Sequence, residues 1–475
     1  MERLGSKSTK TYIALLWLLF LPAAPYFAPG GGYLHISGFK YVLFLCLTVP
    51  WLLLFARETV GRLRRRKPSP LQWAVLGLLA WSLVSALCSP WPVNALLGGG
   101  RHEGYVTLLL YGLGCLCVSV TWKPGRLDLL WPALGLGVLD CLCLLQLSGH
   151  NPLGLYPAGM GWRDANILYP GSYLGSVGNA GTAGAVLCTA SALLFLALLR
   201  RGGKRWLLLI PLLPAGFILG QSHVEAAVLG LTVLLLLSPL AAVRSLRVLG
   251  RWLTTAPLML ICLFPRLWPW LCPLCPVGLI LLFLPREGER CSPLLRRMIA
   301  AVTLTGLALA PLLILHYAGG EAVLLEARAV LEGDLRDSLG SGRVYIWRQV
   351  LAALPRCPIL GCGPDSLGLL ELQPYVWYSP ETGKTVISSI DAAHCEYLQT
   401  LNCQGIPAAL CHLALPVIAL LRFLRRGYTP AGVCAGAALC YGIQACFGIS
   451  ACAAAPLFWL LLGCGEALAK PGELC

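Results

Sequence analysis

The sequence predicts an all-α polytopic membrane protein with about 12–14 transmembrane helices and one large, partly helical extracytoplasmic loop. Three observations carry this prediction. Only 12% of the residues are charged and 57% are hydrophobic, with a mean hydropathy of +0.74, whereas a soluble globule carries about 25% charged residues. The apolar residues arrive in blocks of about 20, the length a bilayer requires. They run continuously rather than alternating, which selects helices over a barrel. Short clusters of Lys and Arg separate these blocks.

The blocks fall at 11–28, 39–56, 70–89, 104–122, 127–147, 173–199, 206–221, 223–243, 252–264, 267–284, 298–317, 403–421, 430–449 and 452–468. The pair at 252–264 and 267–284 is short and Pro-rich, and reads as a tight hairpin or a re-entrant pair. The first block has the look of a signal peptide. A retained first span is preferred, because cleavage would leave the basic loop after the second block in place.

Orientation follows from the positive-inside rule. Lys7 and Lys10 put the N-terminus in the cytoplasm. Counting spans onward, the basic clusters at 62–67, 123–126, 200–205, 244–251, 286–297 and 422–426 all land on that side. The chain then divides into an N-terminal transmembrane bundle (1–317) with short outer loops at 90–103 and 148–172, an extracytoplasmic loop domain (318–402), and C-terminal transmembrane helices (403–475) ending in the cytoplasm.

The net charge of +15 invites a nucleic-acid reading, but its distribution argues against one. Residues 318–402 hold six Lys/Arg against ten Asp/Glu, so the excess lies in the short basic loops, where it sets topology. Of the 22 cysteines, most lie inside apolar blocks, where Cys acts as a small hydrophobe. Cys272 and Cys275 have metal-motif spacing but no second pair nearby. Cys357, Cys362, Cys395 and Cys403 fall in or beside the outer loop and have the option of pairing.

The outer loop reads as two helical pieces joined by turns. Ser341 is the expected N-cap of the first, with Val344, Trp347, Leu351 and Leu354 as its apolar stripe and Pro355 as its stop. Asp391 is the expected cap of the second, with His394, Leu398 and Leu401 on one face and Gly405 beyond its end.

Four segments carry a family resemblance. Ser341-Gly-Arg343-Val-Tyr-Ile-Trp347-Arg348, followed by Pro358-Ile-Leu-Gly361-Cys-Gly363-Pro-Asp365, resembles a Gly-Arg and Trp helix leading to a "PlxGxGP" turn. Ala393-His394-Cys395-Glu396-Tyr397-Leu398-Gln399, then Gly405-Ile-Pro407, resembles "AHNxYLQ…GxPG". Gly98-Gly-Gly-Arg101-His-Glu103-Gly104 looks like a "G..R.EG" loop, and 175–184 is similar to "GTFGNPN". In this order they resemble the O-antigen ligase/O-antigen polymerase family of membrane-embedded, lipid-linked glycan transferases.

The resemblance implies a C-type glycosyltransferase-like fold in the bacterial cytoplasmic membrane. It implies an inverting transfer of glycan from a polyprenyl-pyrophosphate donor to a glycan, lipid or cell-wall acceptor hydroxyl, in cell-surface polysaccharide assembly. His394 would be the general base for that hydroxyl. Arg343 would be its catalytic partner, since arginine offers a leaving diphosphate bidentate contacts that lysine cannot. Arg101, Glu103, Arg163, His223, Trp347, Arg348 and Glu396 are the candidate substrate-binding residues. No acidic cluster with metal spacing accompanies His394, so no metal or cofactor is expected.

The chain departs from the pattern twice. The Asn usual after the histidine is Cys395, and a mid-chain Ser-Arg is here Ser222-His223, followed by Glu225. If that arginine holds pyrophosphate, its work here is unfilled or passes to Arg101, Arg163 or a protonated His223. The rival readings are a lipid-glycan flippase or transporter, and a non-catalytic envelope-complex protein. Transport usually needs ionisable groups near the midplane, where the sequence offers little beyond Asp140, with Glu225 near an outer end and His412 in the twelfth block.

Overall fold

The computed structural model describes residues 2–24, 32–65, 67–125, 127–157, 159–162, 173–222, 224–283, 292–316, 322–379 and 384–469. Helix α1 (Glu2–Leu15) runs into a π turn at Leu16–Phe20 and is followed by α2 (Ile36–Arg64), α3 (Pro70–Leu87), the short α4 (Pro92–Leu97), α5 (Tyr105–Thr121) and α6 (Leu130–Leu147). A two-residue ladder, β1 (Tyr173–Leu174) with β2 (Gly178–Asn179), leads into α7 (Ala180–Arg200). Next come α8 (Leu209–Gln221), α9 (Glu225–Ala242), α10 (Leu246–Leu263), α11 (Trp268–Leu271), α12 (Leu274–Phe283) and α13 (Pro293–Leu315). The long polar segment holds α14 (Ala322–Leu331), α15 (Arg343–Ala353) and the hairpin β3 (Tyr375–Ser379) with β4 (Lys384–Ser388). The chain closes with α16 (Glu396–Arg426), α17 (Pro430–Gln444) and α18 (Ala455–Ala467).

Among the described residues, nine helical segments are long and apolar enough to cross a membrane, or ten if the bent pair α11–α12 is one span. By helix length and composition the chain is a multi-pass membrane protein. The Pro-rich region expected as a short pair divides unequally. α10 is long enough alone, whereas its neighbour bends by 52° between α11 and α12. Gly250 and Gly278 let α10 and α12 close tightly, since a Cβ at Gly278 would stand 2.7 Å from Gly250 O.

The bundle centres on α7, whose most apolar window is 94% buried. Its Ala, Gly, Ser, Thr and Cys residues allow close approach, the usual basis of helix association in lipid. A Cβ at Gly230 of α9 would lie 2.9 Å from Cys440 O of α17, and one at Gly463 of α18 would lie 2.7 Å from Cys115 O of α5. α1 and its π turn belong to the same core through Tyr12, Trp17 and Phe20.

Arginines of two basic clusters reach the ends of neighbouring helices. There Arg62 Nη1 donates to Val120 O at 2.8 Å, and Arg251 Nη1 donates to Leu199 O at 2.7 Å. Each satisfies a last-turn carbonyl of a neighbouring helix.

The outer segment corrects three local expectations. Ser341 takes φ +58°, and the N-cap of α15 is Gly342, with no side-chain capping bond. The buried face of α15 is Ile346, Val350 and Ala353 rather than the stripe through Leu351. This face packs on Cys362, Leu367, Ile390 and Ala393 in a second small core, and that packing sets the helix rotation. Asp391 does not cap α16, which starts at Glu396 with Cys395 as N-cap. The Asp391 carboxylate instead pairs with Arg101. The expected break at Gly405 is present as a residue with φ +80° inside α16.

Candidate active site

Segments distant in sequence close on one another at the end of the bundle away from the basic loops, with α3 as their frame. Trp81 Nε1 donates to Ile359 O at 3.1 Å, and Ser85 Oγ donates to Cys403 O at 3.0 Å. Ser89 Oγ donates to Cys362 O at 2.6 Å. The last turns of α3 and Ser89 just beyond it thus hold the turn at Gly361–Gly363 against the break in α16. The break requires glycine, because a Cβ at Gly405 would collide with the Ile359 carbonyl.

The turn delivers Asp365, whose Oδ2 accepts from Gly99 N at 2.7 Å and from Glu103 N at 3.3 Å. Asn94 Nδ2 donates to Asp365 O at 3.0 Å. Two of the resembling segments, the Arg101 loop and the Gly361 turn, are therefore joined by one carboxylate. The loop sends its two charged side chains to different partners. Arg101 Nη2 pairs with Asp391 Oδ2 at 2.7 Å. Glu103 turns inward, accepting from Tyr111 OH at 2.8 Å and from Ser450 Oγ at 2.7 Å.

His394 sits just before α16 at φ +49°. Trp347 Nε1 donates to Ala393 O at 2.9 Å, and Ala393 N donates to Gln399 Oε1 at 2.8 Å, which pins the residue just before His394. Five non-glycine residues among those described take a left-handed φ, and three of them, His102, Asp365 and His394, lie in these loops. Such strain costs on the order of 1–3 kcal/mol each and concentrates at functional sites.

His394, Arg101, Glu103, Asp365, Glu396 and His412 line one cavity of about 70 Å³. Glu396 Oε1 accepts from Tyr441 OH at 2.8 Å. Burial lowers His394 to about 4, helped by the charges of Arg343 and Arg101 and opposed by Asp391. The imidazole is therefore neutral near neutral pH because of burial and the two arginines; His394 precedes α16 rather than lying in its first turn. Burial raises Glu103 to about 8 against its Ser450 and Tyr111 hydrogen bonds, and it raises Asp365 against the Gly99 and Glu103 amides.

Arg343 stands beside this cavity, donating from Nε to Phe447 O at 3.1 Å and from Nη1 to Gly340 O at 2.7 Å. Burial draws its pKa down, opposed by Glu225 and Glu326. It pairs with neither Asp337 nor Glu332, which are taken by Arg348 at 2.5 Å and Arg328 at 2.7 Å. Arg348 is thus on the solvated face. Trp347 packs on Phe447 with ring centroids 5.9 Å apart, and neither it nor Arg348 lines the cavity. Arg163 and His223 lie outside the described residues.

Sequence reasoning missed the connection between the last two helices. The blocks at 430–449 and 452–468 leave almost no loop, yet α17 stops at Gln444 and α18 starts at Ala455. The intervening residues supply Phe447 O to Arg343 and Ser450 Oγ to Glu103. The polar interruption at Gly448-Ile-Ser450 was the available signal. Cys362 and Cys403 are free thiols with Sγ atoms 3.9 Å apart. No group of three or more His, Cys, Asp or Glu among the described residues is arranged to hold a metal ion. No protein-family model and no curated protein matches this chain.

Proposed function

We propose that this chain transfers glycan from a polyprenyl-pyrophosphate donor to an acceptor hydroxyl at the outer face of a bacterial cytoplasmic membrane, as an O-antigen ligase- or polymerase-like enzyme. One observation carries the reading. The Arg101 loop, the turn at Pro358–Asp365 and the His394 segment come from different parts of the sequence, and all contribute to a single cavity.

In this reading the acceptor oxygen attacks the anomeric carbon while His394 takes its proton. The bond from that carbon to the diphosphate oxygen breaks, and the electron pair leaves on pyrophosphate. Arg343 and Arg101 match its growing charge; Arg101 exchanges Asp391 for the phosphate. A single displacement inverts the anomeric centre. Residues 318–402 are the extracytoplasmic catalytic loop, and both termini are cytoplasmic. Counting α1, α5, α17, α18 and the bent pair α11–α12 with the nine long segments gives fourteen spans, the even number that places both termini on one side.

Asp140 favours a second reading, a lipid-glycan flippase. It is buried in α6, and neither carboxylate oxygen has a hydrogen-bond partner among the described residues. The deciding experiment supplies purified protein with a lipid-linked donor and an acceptor, and measures transfer and flipping side by side. Transfer is expected, and it should persist in EDTA. Flipping without transfer would replace the enzyme reading with the second one, and loss in EDTA restored by magnesium would overturn metal independence.

A further inference from the structure

Far along α16 from His394, its last turns and the start of α17 enclose a second cavity, of about 340 Å³. One part of its wall is apolar, with Ile418, Leu421 and Leu468, and another is basic, with Arg422, Arg425 and Arg426. Leu421 is 45% exposed, so the apolar wall continues onto the outer surface of a helix long enough to span the membrane.

Arg422 is only 5% exposed. Its Nη2 pairs with Glu466 Oε2 at 2.6 Å, while its buried Nε has no acceptor among the described residues. A buried donor left without an acceptor is rare, and it points to a group that completes it. Glu466 offsets one of the three guanidinium charges. The N-terminus of α17 adds positive potential, with Thr429 Oγ1 accepting from Gly432 N at 3.2 Å. Cations beside an apolar channel are what a phosphate group on an acyl chain requires.

We propose that this cavity binds the phosphate of an anionic phospholipid. The head group lies among Arg422, Arg425, Arg426 and the first turn of α17, and an acyl chain lies along Ile418, Leu421 and Leu468. The site sits well along α16 from the His394 cavity and is independent of the transfer reading.

The test titrates the full-length protein in detergent with phosphatidylglycerol, phosphatidylcholine or inorganic phosphate, and reads bound lipid by native mass spectrometry together with the thermal shift. Phosphatidylglycerol should bind at least about tenfold more tightly than phosphatidylcholine. Arg425→Gln with Arg426→Gln should remove most of that preference. Arg201→Gln with Lys204→Gln, in another basic loop, should keep it. Arg422→Lys keeps a cation beside Glu466 but loses Nε, and should weaken binding in protein that still elutes as a monodisperse species. Equal binding of the two lipids, or equal loss in both double variants, would overturn the site. An equal stabilisation by inorganic phosphate alone would overturn the lipid assignment.

Discussion

Helices α13 and α16 satisfy the same requirement for crossing a membrane, with mean hydropathies of 2.3 and 1.9, yet the fold uses them differently. None of the apolar window of α13 is buried, while a third of that of α16 is. α13 presents Val302, Leu304, Leu309 and Leu313 outward and has no buried residue along its length. α16 is broken at Gly405, and it carries Glu396 and His412 into the candidate site and Arg422 to the second cavity. Hydropathy decides whether a helix enters a bilayer; the placement of glycine and polar residues decides whether it does anything further.

The largest expected effect lies at the entry to α16. His394→Ala should lower turnover by about 10²–10⁴-fold, the scale of general acid–base catalysis, with donor affinity little changed. Leu304→Ile on α13 should leave turnover unaltered. Single-turnover transfer and donor binding, measured on inserted protein, check both. Near-normal turnover in His394→Ala would remove His394 from the chemistry.

The next contrast sets glycine against glycine. Gly405→Ala forces a Cβ into the Ile359 carbonyl at a left-handed φ, so it should destabilise the protein by about 2–4 kcal/mol. A Cβ at Gly306 in α13 would meet nothing within 4 Å, so Gly306→Ala should be neutral or stabilise by up to about 1 kcal/mol. Thermal unfolding in detergent gives the comparison, and equal shifts would mean that the break in α16 is not under packing constraint.

Arg343→Lys retains the charge but loses the planar fork. It should weaken donor binding by about 10–100-fold, more in Arg343→Ala, with unchanged binding counting against the assignment.

The smallest effect is in pH. His394 is lowered to about 4, so its native state resists protonation between that value and the ordinary imidazole value near 6.5. Its contribution to stability is present above about 6.5 and lost as pH falls through 4. Glu103 is raised to about 8, so its contribution is present at low pH and lost as pH rises through 8. Transfer should hold down to about pH 5 and fall above pH 8, as Glu103 gains a negative charge in the cavity proposed to take the pyrophosphate. Glu103→Gln should remove the alkaline limb of the rate profile, and an unchanged limb would assign it to another group.

Much of this was legible because it depends on local composition. The blocks mark most of the long helices, and glycine at 361, 363 and 405 marks the turn and the break. The Arg101 loop and the His394 segment stood out by their motifs, and they do share a cavity. The details that failed depend on partners remote in sequence. Asp391 has the residue type of a cap, but Arg101 claims its carboxylate across 290 positions. Leu351 fits a helical stripe, but α15 is rotated by its contact with Ile390 and Ala393. Ser450 looked like the edge of a span and proves to bond Glu103.

By itself, then, the sequence determined that this chain is membrane-spanning and helical, and which loops are basic, since hydropathy and charge act residue by residue against the solvent. Only the tertiary structure decided that Asp365 locks the Arg101 loop to the Gly361 turn, that His394 is held neutral by burial and two arginines, and that Arg422 is buried beside Glu466. Those outcomes depend on hydrogen bonds and on the loss of water around charges, and both arise only once distant segments meet.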